Sequence, residues 1–171
     1  MTAFETVAMG YRYPTASAAA ELAATVEAEP RGEVARHMRS FIDEVAALPL
    51  GRWEELHTST LDLSAPVAPY VGHVVWGENY RRGAFMADLQ REMNIAGIEL
   101  SGELPDHIEP VLRYLAAVTD PLPDLLDVLA GAVTDMHKTL QSAAPDNPYC
   151  HLLAATAACT AERPVTIGGR R

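Results

Sequence analysis

Apolar residues recur along this chain at the three-to-four-residue spacing of helices that bury one face, and every strong periodicity has this form. The clearest stripe, Val34, Met38, Phe41, Ile42, Val45 and Leu48, predicts a core helix over Glu33 to Leu48, stopped by Pro49 and Gly51. The longest runs through Leu122, Leu125, Leu126, Leu129, Val133, Met136 and Leu140, with Asp120 read as its cap and Pro121 as its first residue. Around these, Thr2 to Met9 predicts a short helix and Ser17 to Ala28 a weakly amphipathic one ended by Pro30 and Gly32. Ala84 to Ala96 predicts a helix facing Phe85, Leu89, Met93 and Ala96 inward and closed by Gly97, and Pro148 to Ala161 the last one. Arg52 to Leu63 begins with good helix formers and decays through Thr58, Ser59 and Thr60, which predicts about two turns and then an extended connection to Pro66.

Two stretches are less regular. Ala65 to Gly83 is the most aromatic part of the chain, and although Val71, Val74 and Val75 suit a strand, no second convincing strand exists to pair with it. A short helix leading into a loop is the expectation. Glu103 to Ala116, ELPDHIEPVLRYLA, joins an acidic, proline-punctuated turn to an amphipathic helix with Leu104, Ile108, Val111, Leu112 and Leu115 on one face. Glu103, Asp106, His107 and Glu109 gather at the helix start, where unsatisfied N–H groups favour negative charge, so capping and surface hydrogen bonding are the expected work of Asp106 and His107. Pro105 suits a first helical position, whereas Pro110 either kinks the helix or is itself the first residue, and the pattern leaves both open.

The pattern therefore predicts an all-α fold, a single-domain bundle of about six to eight helices over residues 1–161 with 162–171 as a flexible tail, monomeric or weakly dimeric. No apolar run reaches the ~18 residues needed to span a bilayer, and no secretory leader opens the chain, so a cytoplasmic protein is expected. Cys150 and Cys159 fit neither a zinc-site spacing nor a disulfide framework and read as buried or idle thiols. With 23 acidic residues against 13 basic ones and a net charge of -10, the chain repels nucleic acid and anionic membranes and attracts cationic partners, so affinity for a basic peptide should weaken with salt.

Catalytic signatures are missing from the sequence: it contains no Gly-rich phosphate loop, no Gly-x-Ser-x-Gly, no His-Glu-x-x-His and no Cys-x-x-Cys. His37, His57, His73, His107, His137 and His151 are scattered, without an i, i+4 pair to hold a metal.

Three separated stretches, WEELHTSTLDLS from Trp53 to Ser64, PYVGHVVWGENYRRGAFMADL from Pro69 to Leu89 and SGELPDHIEPVLRYLA from Ser101 to Ala116, resemble in order and spacing the nitrate reductase delta-subunit chaperones of the NarJ branch of the TorD/DmsD superfamily. DNPYCHLLAA, Asp146 to Ala155, is similar to that family's final helix, so the likeness covers roughly residues 50–155. GENYRRG from Gly77 to Gly83 and the Glu-Leu-Pro-Asp-His block are its specific parts. The chain departs from the family at Leu61, where Phe is usual, and at His57, where Tyr is common. The resemblance implies an all-helical protein without catalytic activity or cofactor of its own, which binds the amino-terminal segment of a molybdenum enzyme's catalytic subunit until the molybdopterin cofactor is inserted.

A peptide-grasping protein needs an apolar groove with charged walls, and an acidic wall suits a basic or twin-arginine-like leader. The candidate peptide-binding residues are Tyr70, His73, Tyr80, Arg81, Arg82, Glu103, Asp106, His107 and Tyr114, with Trp76 as a further aromatic. Ordinary packing is an equal reading for each aromatic, Arg81 and Arg82 either pair with Glu103 or Asp106 or stay a solvated surface pair, and Gly77 and Gly83 serve turns rather than ligands. If Asp106 and His107 belong to a recognition wall, changing them weakens client binding while the fold survives; if Asp106 is a cap, stability falls instead. Two readings from other classes stand beside the chaperone: a small metal-dependent hydrolase using His73, His107 and nearby carboxylates, and a structural subunit of the mature reductase. Nitrate, selenate, chlorate and hydrocarbon-oxidising enzymes of one molybdenum class have similar chaperones, and no residue selects among them.

Overall fold

The computed structural model describes residues 2–28, 32–61 and 66–162. Among them the chain forms nine helices and no strand: α1 Ala3–Gly10, α2 Ala18–Ala28, α3 Glu33–Ala46, α4 Leu50–Leu61, α5 Val71–Trp76, α6 Tyr80–Ile95, α7 Ile108–Ala117, α8 Leu125–Ala143 and α9 Tyr149–Glu162. The all-α expectation holds, and the count reaches nine with the six-residue α5 included. The expected connection after Leu61, the expected stop at Pro30 and the tail beyond Glu162 lie outside the described residues.

All nine helices contribute to one hydrophobic core. At its centre α9 packs against α3, α8 and α1, while α7 lies on α1 and the short α5 is wedged between α6 and α8. The stripes predicted from periodicity are the ones buried: Val34, Met38, Phe41, Ile42 and Val45 on α3, and Leu125, Leu129, Val133, Met136 and Leu140 on α8. Cys150 and Cys159 are buried thiols, and desolvation pushes Cys159 up to about 12.

Helix boundaries moved where a side chain or proline outweighed the local pattern. At α1, Thr2 and Glu5 form a reciprocal capping box. The helix α4 runs to Leu61 rather than fading, because Thr58 and Ser59 donate their hydroxyls to the carbonyls of Glu54 and Leu56, and Thr60 turns inward to accept from Asn147 at 2.9 Å. Asn79 caps α6 by accepting from the Arg81 N–H, so this helix starts at Tyr80, four residues before the expected Ala84. At its other end Gly97, at φ 71, carries the expected cap, with Ile98 N–H reaching the Met93 carbonyl and Gly97 N–H that of Asn94. Conversely, α8 begins at Leu125 and not at Pro121. Pro123 bars Leu122 from helical backbone, and the Leu122 N–H donates instead to the Tyr114 hydroxyl at 3.2 Å.

The helix α7 resolves the proline question in a third way. His107 is its N-cap and Pro110 its third residue, where the missing N–H is one that the first turn would leave unpaired, so the helix needs neither a kink nor a start at Pro110. Leu104 falls outside this helix and is 44% exposed, a correction to the expected buried stripe.

Gly72 in α5 is a close-approach position. A Cβ there would lie 2.8 Å from Asp106 Oδ2, 3.2 Å from Arg82 Cγ and 3.3 Å from Phe85 Cδ1. Gly72→Ala should therefore destabilise by about 1–3 kcal/mol through overpacking, whereas Gly131→Ala on the open face of α8 should stabilise by roughly 0.5–1 kcal/mol. Urea unfolding of both variants checks the contrast, and equal stability changes would contradict the packing of α5.

Candidate functional site

Pro69, Tyr70 and Val71 run antiparallel to residues 106–108, joined by Val71 N–H to the Asp106 carbonyl and Ile108 N–H to the Pro69 carbonyl, both at 2.8 Å. Behind this junction Asp106, with no solvent exposure, accepts from Arg82 Nε at 2.8 Å on Oδ2 and from Nη2 at 3.4 Å on Oδ1. This two-pronged contact keeps the Arg82 guanidinium charged, its pKa raised chiefly by that hydrogen bond. The guanidinium also reaches Glu78 at 3.2 Å and lies 5.9 Å from the centre of the Tyr70 ring. In front of the junction, Tyr70 packs edge-on to His107 at 5.2 Å and donates its hydroxyl to Glu103 at 3.1 Å. Burial and then Glu103 push the Tyr70 phenol up to about 12.

Tyr70, Glu103 and His107 open onto a cleft of about 570 Å³, within the range of ligand sites. Tyr11, Arg12 and Tyr13 follow α1 into the lining, and His57 and Leu61 of α4 join them. Leu100, Ser101, Glu109 and Arg113 complete the lining with Pro69. Glu109 is shared by Arg12 at 3.0 Å and Arg113 at 2.9 Å. The lining thus carries two arginines and two glutamates, so the cleft is balanced in charge rather than walled by acid. The acidic cluster expected at 103–109 is neutralised because Asp106 faces Arg82 and Glu109 faces two guanidinium groups.

The candidate residues accordingly divide. Tyr70, Glu103 and His107 line the cleft; Arg82 and Asp106 hold it from behind. Tyr114 is fully buried in the core, His73 pairs with Glu78 at 3.1 Å, and exposed Tyr80 and Arg81 lie on α6, so none of these four is part of the cleft. Trp76 packs tilted against Phe85 at 5.0 Å between α5 and α6. The expected arginine pairing forms once, through Arg82. Capping at 106–107 falls to His107, whose Nδ1 accepts from the Glu109 N–H at 3.2 Å, and not to Asp106. Among the described residues no three His, Cys, Asp or Glu side chains gather as a metal would require.

Sequence reasoning missed the far wall, although a signal existed. Trp53, His57 and Leu61 are spaced i, i+4, i+8, so a buried Trp53 puts His57 beside the core. His57 Nδ1 lies 2.8 Å from the Tyr149 hydroxyl, which also accepts from Trp53 Nε1 at 3.2 Å, and Tyr13 meets the imidazole edge-on at 5.5 Å. Burial, with His107 nearby, lowers the His57 pKa to about 4. It lowers His107 too, against the raising pull of Glu103, so His107 does not gain charge near neutrality. No protein-family model matches the chain, and no curated protein matches it.

Because unfolded histidine takes up its proton near pH 6.5 while folded His57 and His107 resist it, folding stability is complete above that pH and is lost as the pH falls toward about 4. The His57 share should be on the order of 1 kcal/mol between pH 7 and pH 5, after allowance for its solvent-facing edge. Thermal melting across this range should show a Tm that drops on acidification in wild type and drops less in His57→Gln; a Tm flat from pH 7 to pH 5 would contradict the buried neutral imidazoles.

Proposed function

We propose that this protein is a system-specific chaperone of the NarJ kind, which binds the amino-terminal segment of a molybdenum oxidoreductase's catalytic subunit in the cleft between α1, α4 and the start of α7. The observation that carries the reading is convergence. The three stretches that carry the family resemblance each send residues to this one cleft: Pro69 and Tyr70 from the second, Ser101, Glu103, His107, Glu109 and Arg113 from the third, and from the first His57 and Leu61, the two positions where the chain departs from the family. A shared binding task accounts for that more directly than shared packing, since these side chains line open space. Tyrosine and histidine walls with charge pairs at the rim suit a peptide with both apolar and polar side chains.

In this reading the protein works in the cytoplasm, as a monomer or weak dimer, performs no chemistry itself, and releases its client once the cofactor is in place. The whole-chain charge of -10 draws a basic leader in from a distance, while the balanced cleft holds it by contact.

Calorimetric titration with a synthetic amino-terminal segment of a nitrate reductase catalytic subunit tests the reading. Tyr70→Ala should weaken binding about fivefold or more without unfolding the protein, as expected for a central aromatic contact. Wild-type affinity should fall only modestly as salt rises, because the long-range term alone is screened. Binding unchanged in Tyr70→Ala would move the site elsewhere, and recovery of the chain from the finished, cofactor-loaded reductase would favour a structural subunit.

A further inference from the structure

The Tyr149 hydroxyl is buried and has two neighbours in hydrogen-bond range, Trp53 Nε1 and His57 Nδ1. An indole N–H only donates, so Tyr149 accepts from Trp53. Its own hydrogen, shut away from water, needs an acceptor, and His57 Nδ1 at 2.8 Å is the one within reach. A neutral imidazole that accepts on Nδ1 carries its hydrogen on Nε2. The same logic applies to His107: the Glu109 backbone N–H donates to its Nδ1, which leaves the hydrogen of the neutral ring on Nε2. Both rings line the cleft, and among the described residues neither Nε2 has a hydrogen-bonding partner in the folded chain.

We propose that His57 and His107 are held as a pair of Nε2–H donors, and that they bind neutral acceptor oxygens, the backbone carbonyls of an extended peptide segment lying in the cleft. This rests on the chaperone reading for the identity of the peptide, but the fixed tautomers belong to the protein alone. A carboxylate is a poorer occupant, because Glu103 and Glu109 flank the donors and the two lining arginines already share Glu109. A lysine or arginine head group cannot accept at all. The site thus selects main chain over charged side chain at this point, and an aromatic residue at position 57, as the resembling family commonly has, would lack a ring N–H donor of this kind.

Nitrogen-15 NMR of the labelled protein reads the tautomers directly. Both rings should be neutral with hydrogen on Nε2 from pH 7 to pH 8, and Tyr149→Phe should release His57 to a mixture of tautomers while His107 stays fixed. Titration with N-methylacetamide should shift the His57 Nε2–H resonance, and guanidinium should not. With the reductase segment as probe, His57→Phe should lose about threefold to tenfold in affinity and His57→Gln, which keeps an N–H donor, distinctly less. A charged ring or an Nδ1–H form of His57, the absence of an amide-induced shift, or wild-type affinity in His57→Phe would each overturn the proposal. Should the reductase segment bind neither wild type nor variant, the chaperone reading fails, and the amide titration alone then decides whether the donors take carbonyl oxygens.

Discussion

Arg82 and Asp106 are separated by 24 residues, and their contact leaves the Asp106 carboxylate fully buried while the guanidinium extends to the exposed Glu78. A buried carboxylate without a partner would cost several kcal/mol, so Asp106 can occupy its position only while Arg82 is there to meet it. That requirement fixes more than two side chains. The carbonyl of Asp106 receives the Val71 N–H, the next residue begins the cap of α7, and Tyr70 lies against the guanidinium on one side and His107 on the other. Gly72 leaves the space for the pair to form, since a Cβ would strike the carboxylate. A buried pair of this kind adds little net stability compared with apolar packing, but it admits one arrangement of the segments that carry it.

The cleft inherits its shape from that arrangement on one side and from the aromatic core on the other. Tyr149 on the central helix α9 packs edge-on to Phe41 at 5.2 Å and reaches through to His57, so the far wall is anchored to the helix that packs against α1, α3 and α8. Tyr11 ties the end of α1 to the same helix through Thr156 at 2.8 Å. The two walls thus rest on packed elements, and at the rim a largely buried Glu109 is held by partly buried Arg113 and by Arg12, whose exposed side chain is the one free to rearrange around an occupant.

Much of the bundle was legible in the sequence because a buried helix face repeats locally: the stripes on α3 and α8 need only their own residues to be recognised. The near wall of the cleft was partly legible for the same reason that it misled. Glu103, Asp106, His107 and Glu109 form a visible acidic cluster, and the i, i+4 spacing of Glu109 and Arg113 is readable in it, but whether Asp106 faces water depends on Arg82, 24 residues away, and the second partner of Glu109 is Arg12, 97 residues away, which no spacing rule connects. Asp106 consequently read as a surface group and is the most deeply buried charge described. His57 read as a departure from a family pattern; its contact with Tyr149 spans 92 residues and follows only from the packing of α4 against α9. The start of α8 erred for a smaller reason, the bar that Pro123 places on the residue before it.

A double-mutant cycle on Arg82→Met and Asp106→Leu, read by urea unfolding, tests most directly whether this pair governs the site. Arg82→Met should cost about 3–5 kcal/mol by stranding buried Asp106, Asp106→Leu should cost less because Arg82 keeps Glu78, and the double change should recover much of the first loss, giving a coupling of about 2–3 kcal/mol. Additive losses, with no coupling beyond about 0.5 kcal/mol, would contradict the account and reduce the pair to two independent packing positions.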